Sequence, residues 1–395
     1  VDGRRAANGS FPSFSPSLAT VPHLVAIDLP GGQQFVTALR REWDAGNAVL
    51  PVDRRLPAPA REALMAAMAP AFVVRDDLHD GRQALANGRD VEPGDALVMA
   101  TSGSTGTPKG VVLTHEAVAA SAMATSRFLG ITPGDRWLAC LPLSHVGGLS
   151  VVTRAIITGT PLVVHDGFDP ARVEAAAAAG ATAVSLVATA LRRIDPALFR
   201  VIVLGGAHPP ADRPVNAHTT YGLTETGSGV VYDGRPLDGV EVQLEPDGEV
   251  LLRCPMQLRC YRDGSSPVDA HGWLHTGDAG SWLPDGRLHV SGRTGDLIIT
   301  GGENVWPEPV EAALTTHPAV AEAAVAGVAD AEWGQRVVAW VVPAGTPPTL
   351  TELRAHVTAT LPAFCAPKEL HLVESLPRTA LGKVRRNLLA PPTPH

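Results

Sequence analysis

The chain has 395 residues, 45% apolar and 18% charged, a balance ordinary for a soluble globular enzyme and long enough for two or more domains. Its formal net charge is −8, and no Lys/Arg run is longer than the pairs Arg54-Arg55, Arg192-Arg193 and Arg385-Arg386, which argues against nucleic acid as a partner. Four scattered cysteines form no Cys-x-x-Cys pair, which argues against a zinc site or disulfide framework and fits reduced thiols in the cytoplasm; no apolar run reaches the ~18 residues of a membrane span. In chain order, the first 20 or so residues are rich in Ser, Pro and Gly and should be loosely ordered. The sequence opens on Val1 rather than Met, so a trimmed start or an alternative start codon is expected, without a signal peptide.

From about Phe35, apolar bursts alternate with helix-like stretches. Residues 96–100 predict a strand that runs into a Ser/Thr/Gly-rich loop. Residues 115–128 predict a helix, 136–141 and 162–164 strands, and 171–179 an alanine-rich helix stopped by Gly180. Residues 183–187 and 201–204 predict strands with helix between them. This βαβ alternation implies a mainly parallel sheet covered by helices, an α/β fold. After about Gly239, short alternating strands at 240–244, 249–253 and 288–291, with turns at Pro246-Asp247-Gly248 and Pro284-Asp285-Gly286, predict a small antiparallel β-subdomain. A compact α+β unit follows Gly295, with helices near 309–315 and 350–361 and strands at 321–328 and 337–342. Internal repeats are absent.

Lysine is scarce: Lys109, Lys368 and Lys383 are the only three among 32 basic residues. Where arginine serves for any cation, a retained lysine marks a role for a compact, mobile point charge. Lys109 closes the loop Thr101-Ser102-Gly103-Ser104-Thr105-Gly106-Thr107-Pro108-Lys109-Gly110. Its glycines let the backbone approach phosphate oxygens, and its hydroxyls and N–H groups can donate to them. The lysine follows Pro108 and precedes Gly110, so the loop is not the Walker motif. Lys383 lies in Pro377-Arg378-Thr379-Ala380-Leu381-Gly382-Lys383-Val384-Arg385-Arg386, read as a mobile catalytic finger. Lys368 is read as structural. His271 and His275 flank Gly272-Trp273 with no cysteine nearby in sequence and are not expected to bind metal.

Further motifs follow the phosphate loop in a fixed order: Val203-Leu204-Gly205-Gly206-Ala207, Tyr221-Gly222-Leu223-Thr224-Glu225-Thr226, Trp273-Leu274-His275-Thr276-Gly277-Asp278, Gly292-Arg293 and Thr300-Gly301-Gly302-Glu303-Asn304. Together they resemble the adenylate-forming superfamily of acyl-CoA synthetases, luciferases and peptide-synthetase adenylation domains, over residues 48–389. The resemblance implies a large AMP-binding domain at 1–294, a small mobile C-terminal lid at 295–395, and an active site between them. It implies that Thr101 to Thr107 and Lys109 hold the phosphates of ATP, and that Gly205, Gly206 and Ala207 pass along the adenine. Tyr221, beside Gly222, would stack on that ring. Thr224 would touch the α-phosphate and Glu225 would help hold Mg²⁺. Asp278 would accept the ribose hydroxyls, with Arg293 near ribose and phosphate; the family often has Arg where His275 stands. Gly295 occupies the hinge position, where the family commonly has Asp or Lys. Gly301 and Gly302 would lie beside the pantetheine arm of coenzyme A. Lys383 would reach the substrate carboxylate and α-phosphate.

The stretch from Pro142 to Leu149 resembles the start of the family's acyl-pocket helix, with His145 gating or contacting the carboxylate and Gly147 and Gly148 beside the substrate. Amino-acid-activating members carry an aspartate in this region; here the only acid between Glu116 and Asp166 is Asp135, in a turn. That argues against an amino-acid substrate. The run from Gly227 to Val240 resembles the actinobacterial o-succinylbenzoate–CoA ligases of menaquinone biosynthesis, which implies that Ser228, with an arginine such as Arg192 or Arg193, holds a second carboxylate. The implied reaction has two halves: a carboxylate attacks Mg-ATP to give an acyl-adenylate and pyrophosphate, then the lid swivels and the thiol of CoA displaces AMP. A CoA ligase for another aryl or acyl acid stays open, as does a stand-alone adenylation enzyme loading a carrier protein. The partners expected are the acid, ATP and CoA, with no nucleic acid and no membrane span; a homodimer is left open.

Overall fold

The computed structural model describes residues 21–78, 81–102, 108–206, 213–378 and 384–389, with Ser102 described by its backbone alone. Two seven-stranded sheets dominate the region before residue 240. The first is built on the buried strand Leu24–Asp28, flanked in parallel by Ala48–Pro51 and Phe72–Arg75. Its apolar residues are buried on both faces, as expected of a strand covered by helices on either side. Next to Ala48–Pro51 comes Asp95–Ser102, which folds back antiparallel on Pro108–Thr114; the short strand Cys260–Tyr261 closes that edge. The second sheet runs in parallel from Leu162–Val164 through Trp137–Ala139, Ala183–Leu186 and Val201–Leu204 to Ala217–Leu223, then turns antiparallel through Ser228–Tyr232.

The mainly parallel sheet expected from the sequence is therefore two mixed sheets. Two of the antiparallel pairings, Asp95–Ser102 with Pro108–Thr114 and Ala217–Leu223 with Ser228–Tyr232, join consecutive strands at site motifs, without the helical crossover that a parallel pair requires. The helix His115–Phe128 matches its predicted span, and Thr114 caps it by accepting from Ala117 N–H at 3.1 Å. Asp169 does the same for Pro170–Ala178, accepting from Arg172 N–H at 2.8 Å. Between Ala183–Leu186 and Val201–Leu204 the expected helix is only one α-turn, Ala188–Leu191, followed by a 3₁₀ turn at Pro196–Leu198.

The four-stranded antiparallel sheet contains the expected strands Glu241–Leu244, Glu249–Arg253 and Leu288–Arg293, plus an unpredicted one, Leu274–Trp282. The last unit is a five-stranded sheet with helices Pro307–Thr315 and Leu350–Thr358, the second held by a reciprocal Thr349–Glu352 cap.

The buried apolar residues form separate clusters. Three are built from residues before Arg293 and two from residues from Ile298 onward. Where the two regions meet, Arg386 ties the end of the described chain to Asp296 at 2.7 Å and to Glu311 at 2.8 Å. Gly295 lies in the 3₁₀ turn Thr294–Asp296. Its φ is not left-handed, and a Cβ there would meet nothing within 4 Å, so this conformation accepts any residue.

Candidate active site

Strand pairing builds the first cluster. Asp278 on Leu274–Trp282 stands opposite Arg293 on Leu288–Arg293. The two form an ion pair, Arg293 Nε to Asp278 Oδ1 at 2.9 Å, while Arg293 also donates to the Thr276 carbonyl at 2.7 Å. From the second sheet, the Tyr221 hydroxyl donates to Asp278 Oδ2 at 2.8 Å. Burial, reinforced by the Asp278 carboxylate, pushes the Tyr221 phenol above its ordinary pKa, so it stays a donor. The hairpin after Tyr221 is drawn very tight. A Cβ on Gly222 would fall 2.2 Å from the Ser228 carbonyl oxygen, which explains the glycine in Tyr-Gly. Gly206 has φ +94°, a left-handed value that favours glycine, whereas Gly205 is sterically unremarkable.

A second cluster forms at the root of the Ser/Thr/Gly loop. Thr101 and Lys109 pair across the hairpin, the Thr101 hydroxyl donating to the Lys109 carbonyl at 3.4 Å. Lys109 Nζ sits 4.7 Å over the ring of Tyr261, whose hydroxyl donates to Glu225 Oε1 at 2.9 Å. Among the described residues, Glu225 Oε2 and the Thr224 hydroxyl make no hydrogen bond. A carboxylate oxygen and a hydroxyl are the oxygen donors that suit a hard cation such as Mg²⁺. Gly103, Ser104, Thr105, Gly106, Thr107, Ala207 and Lys383 lie outside the described residues.

The third cluster surrounds the helix Val146–Thr158. His145 precedes its first turn, and its Nε2 lies 2.9 Å from Arg55 Nη2 and 3.7 Å from Asp53 Oδ2. Arg55 also clamps Asp53, with bonds of 2.9 and 2.7 Å. Burial alone would raise the Asp53 carboxyl, but its hydrogen bonds from Arg55 outweigh burial and hold it below the ordinary value. Nothing in the sequence singled out Asp53 or Arg55, because they lie about 90 residues from His145. Gly148 is required: a Cβ there would fall 2.4 Å from the Pro142 carbonyl oxygen. A Cβ on Gly147 would point into open space.

Further along this helix, Ser150 and Thr153 line a small cavity with Val118 and Gly227. Arg154, one turn beyond Ser150 on the same helix face, is only 1% exposed. Its Nε and Nη1 have no acceptor, and its guanidinium lies 4.8 Å over the Trp137 ring. Ser228 is buried at the start of its strand. Arg192 and Arg193, the arginines expected beside it, are exposed, and Arg193 lies over the Phe168 ring at 5.3 Å. Nothing in the sequence marked Arg154 out as a buried, unanswered charge. Asp135 is engaged elsewhere, held bidentately by Arg200 at 2.8 and 2.7 Å.

Family models described as AMP-binding enzyme and AMP-binding enzyme C-terminal domain match residues 86–254 and 309–383. Over 361 residues the chain is 41% identical to the probable 2-succinylbenzoate–CoA ligase of Mycobacterium tuberculosis, covering 84% of this chain and 93% of that protein. It belongs to the AMP-binding enzyme family. A second relative from that family, the 2-succinylbenzoate–CoA ligase of Bacillus cereus, is 36% identical over 332 residues, covering 74% of this chain and 69% of its own. The fold agrees. The o-succinylbenzoate CoA synthetase of Bacillus subtilis, solved with the acyl-adenylate intermediate OSB-AMP, superposes with a TM-score of 0.84 at 30% identity, covering 94% of this chain and 88% of that one. Its complex with ATP and magnesium ion gives 0.83 at 30% identity, covering 93% and 89%.

Proposed function

We propose that the chain is an ATP-dependent acid–CoA ligase that converts o-succinylbenzoate, through its acyl-adenylate, to o-succinylbenzoyl-CoA in menaquinone biosynthesis. The observation that carries the acid assignment is Arg154. A buried guanidinium without an acceptor, on the helix that starts at His145, is the counter-charge that an acid with a second carboxylate needs. The likeness to the probable 2-succinylbenzoate–CoA ligase of Mycobacterium tuberculosis along 93% of its length supports the same acid.

In this reading Asp278, steadied by Tyr221 and Arg293, accepts the ribose hydroxyls. The loop from Thr101 to Thr107 and Lys109 cradle the phosphates. Glu225 and Thr224 would hold Mg²⁺, which when bound offsets phosphate charge. The succinyl carboxylate attacks the α-phosphorus and pyrophosphate leaves. Lys383 supplies a cation where charge builds during that step, a contribution of about 10²–10³ in rate. His145, with Nε2 facing the Arg55 guanidinium, stands at the mouth of the acyl pocket, and Arg154 with Ser228 holds the aryl carboxylate at its floor. The boundary at 294/295 separates the AMP-binding domain from a lid that rotates after adenylation. That rotation withdraws Lys383 and brings Gly301 and Gly302 beside the incoming CoA, whose thiol displaces AMP. ATP and CoA as co-substrates place the reaction in the cytoplasm; sedimentation velocity decides between monomer and homodimer.

The test is CoA-dependent AMP formation against a panel of acids that includes o-succinylbenzoate. The proposal requires o-succinylbenzoate to give the highest kcat/KM, and a better monocarboxylic acid would refute it. Pyrophosphate exchange without any use of free CoA would identify a carrier-loading enzyme instead.

A further inference from the structure

Tyr261 has no role in the sequence reading, yet it joins two groups at the phosphate end of the site. We propose that Tyr261 is a positioning residue that fixes the metal-holding face of Glu225 and keeps Lys109 from closing onto that carboxylate. The proposal rests on the reading of Glu225 and Lys109 given above.

Backbone geometry makes Tyr261 a strut. On one side Cys260–Tyr261 pairs with Val112 and Val111, and the flanking Arg262 N–H donates to the Gly110 carbonyl at 2.6 Å. On the other side the Leu258 N–H donates to the Glu225 carbonyl at 2.7 Å. The segment is thus pinned to both elements it connects. Gly110, the residue after Lys109, permits the approach: a Cβ there would lie 2.5 Å from Met68 Sδ and 2.9 Å from Arg262 Cβ.

The side chain then does two things. Its hydroxyl bonds to Glu225 Oε1, which sets the rotation of the carboxylate and leaves Oε2 for a cation. Its ring face carries the Lys109 ammonium at 4.7 Å. No carboxylate lies within 4.0 Å of Lys109 among the described residues, although Glu225 is bonded to the far end of the same ring. Without the ring holding them apart, the ammonium and the carboxylate would be free to form an ion pair, and each would be lost to the nucleotide and its metal.

The experiment titrates Mg²⁺ against ATP binding in the full chain by calorimetry, with no acid present so that nothing turns over. Tyr261→Phe keeps the ring and removes the hydroxyl. It should raise the Mg²⁺ concentration for half-maximal ATP binding by about tenfold, the size of one hydrogen bond to a charged group. Tyr261→Leu should do this and also weaken ATP binding at saturating Mg²⁺. In both variants the conversion of supplied acyl-adenylate to thioester, which needs no metal at Glu225, should match wild type. An unchanged Mg²⁺ midpoint in Tyr261→Phe overturns the proposal. So does an equal loss of ATP binding, thioester formation and melting temperature, which marks a purely structural residue. Wild type that binds ATP without any Mg²⁺ dependence sinks the reading of Glu225 instead, and the proposal with it.

Discussion

Replacing Arg154 with methionine should make the protein more stable and the enzyme worse with its diacid. The guanidinium is buried, and two of its nitrogens lack acceptors. An orphaned buried donor costs about 1–3 kcal/mol, so the pair costs about 2–6 kcal/mol. The Trp137 ring offsets about 1–2 kcal/mol of this. Methionine fills much of the same volume without polar atoms. The free protein should therefore gain up to about 5 kcal/mol, read as a later urea midpoint with an unchanged slope. Binding moves the other way. Truncating one partner of a desolvated charge pair costs about 2–5 kcal/mol, so KM for o-succinylbenzoate should rise by about 10²–10³ while KM for ATP holds. Denaturation and pyrophosphate exchange on the same preparation test both halves. A destabilised variant whose KM for the diacid is unchanged would show that the guanidinium serves the core and not the substrate.

Asp278→Asn should raise KM for ATP by about 10- to 100-fold, because it removes a charged acceptor and unpairs Arg293; pyrophosphate exchange measures it. Lys383→Ala should lower adenylation by about 10²–10³ yet leave conversion of supplied acyl-adenylate to thioester intact; loss of both halves to the same degree would contradict a swivelling lid. Asp135→Asn tests the scaffold through pH. Arg200 and the threonine bonds hold the Asp135 carboxyl below its ordinary pKa despite burial, which acts to raise it. A depressed folded-state pKa supplies stability that is complete above the unfolded value of about 4 and is lost as pH falls below it. The variant should therefore be less stable at pH 7 and differ less from wild type at pH 3, by urea denaturation at the two values.

What the sequence made legible was local. The helix His115–Phe128 and the strand before the phosphate loop were both legible from short local stretches of sequence. The ordered motifs delivered Tyr221, Asp278 and Arg293, which the fold gathers into one cluster. The strand Leu274–Trp282 escaped notice because His275, Thr276, Gly277 and Asp278 break its apolar alternation. The partners of His145 and Glu225 escaped for a different reason. Arg55 and Tyr261 reach them across 90 and 36 residues, and no local pattern encodes such a meeting. Arg154 reads as an ordinary helix arginine until the packing shows that nothing answers its charge.

The junction at 294/295 has a mechanical consequence. Among the described residues no apolar cluster spans it, and the nearby ionic bonds, from Arg386 to Asp296 and Glu311, all lie on its C-terminal side. Turning one body against the other there strips little hydrocarbon from its packing. If the two regions turn against each other as proposed above, the swing should be cheap at the joint itself and governed by whichever reactant last filled the cleft.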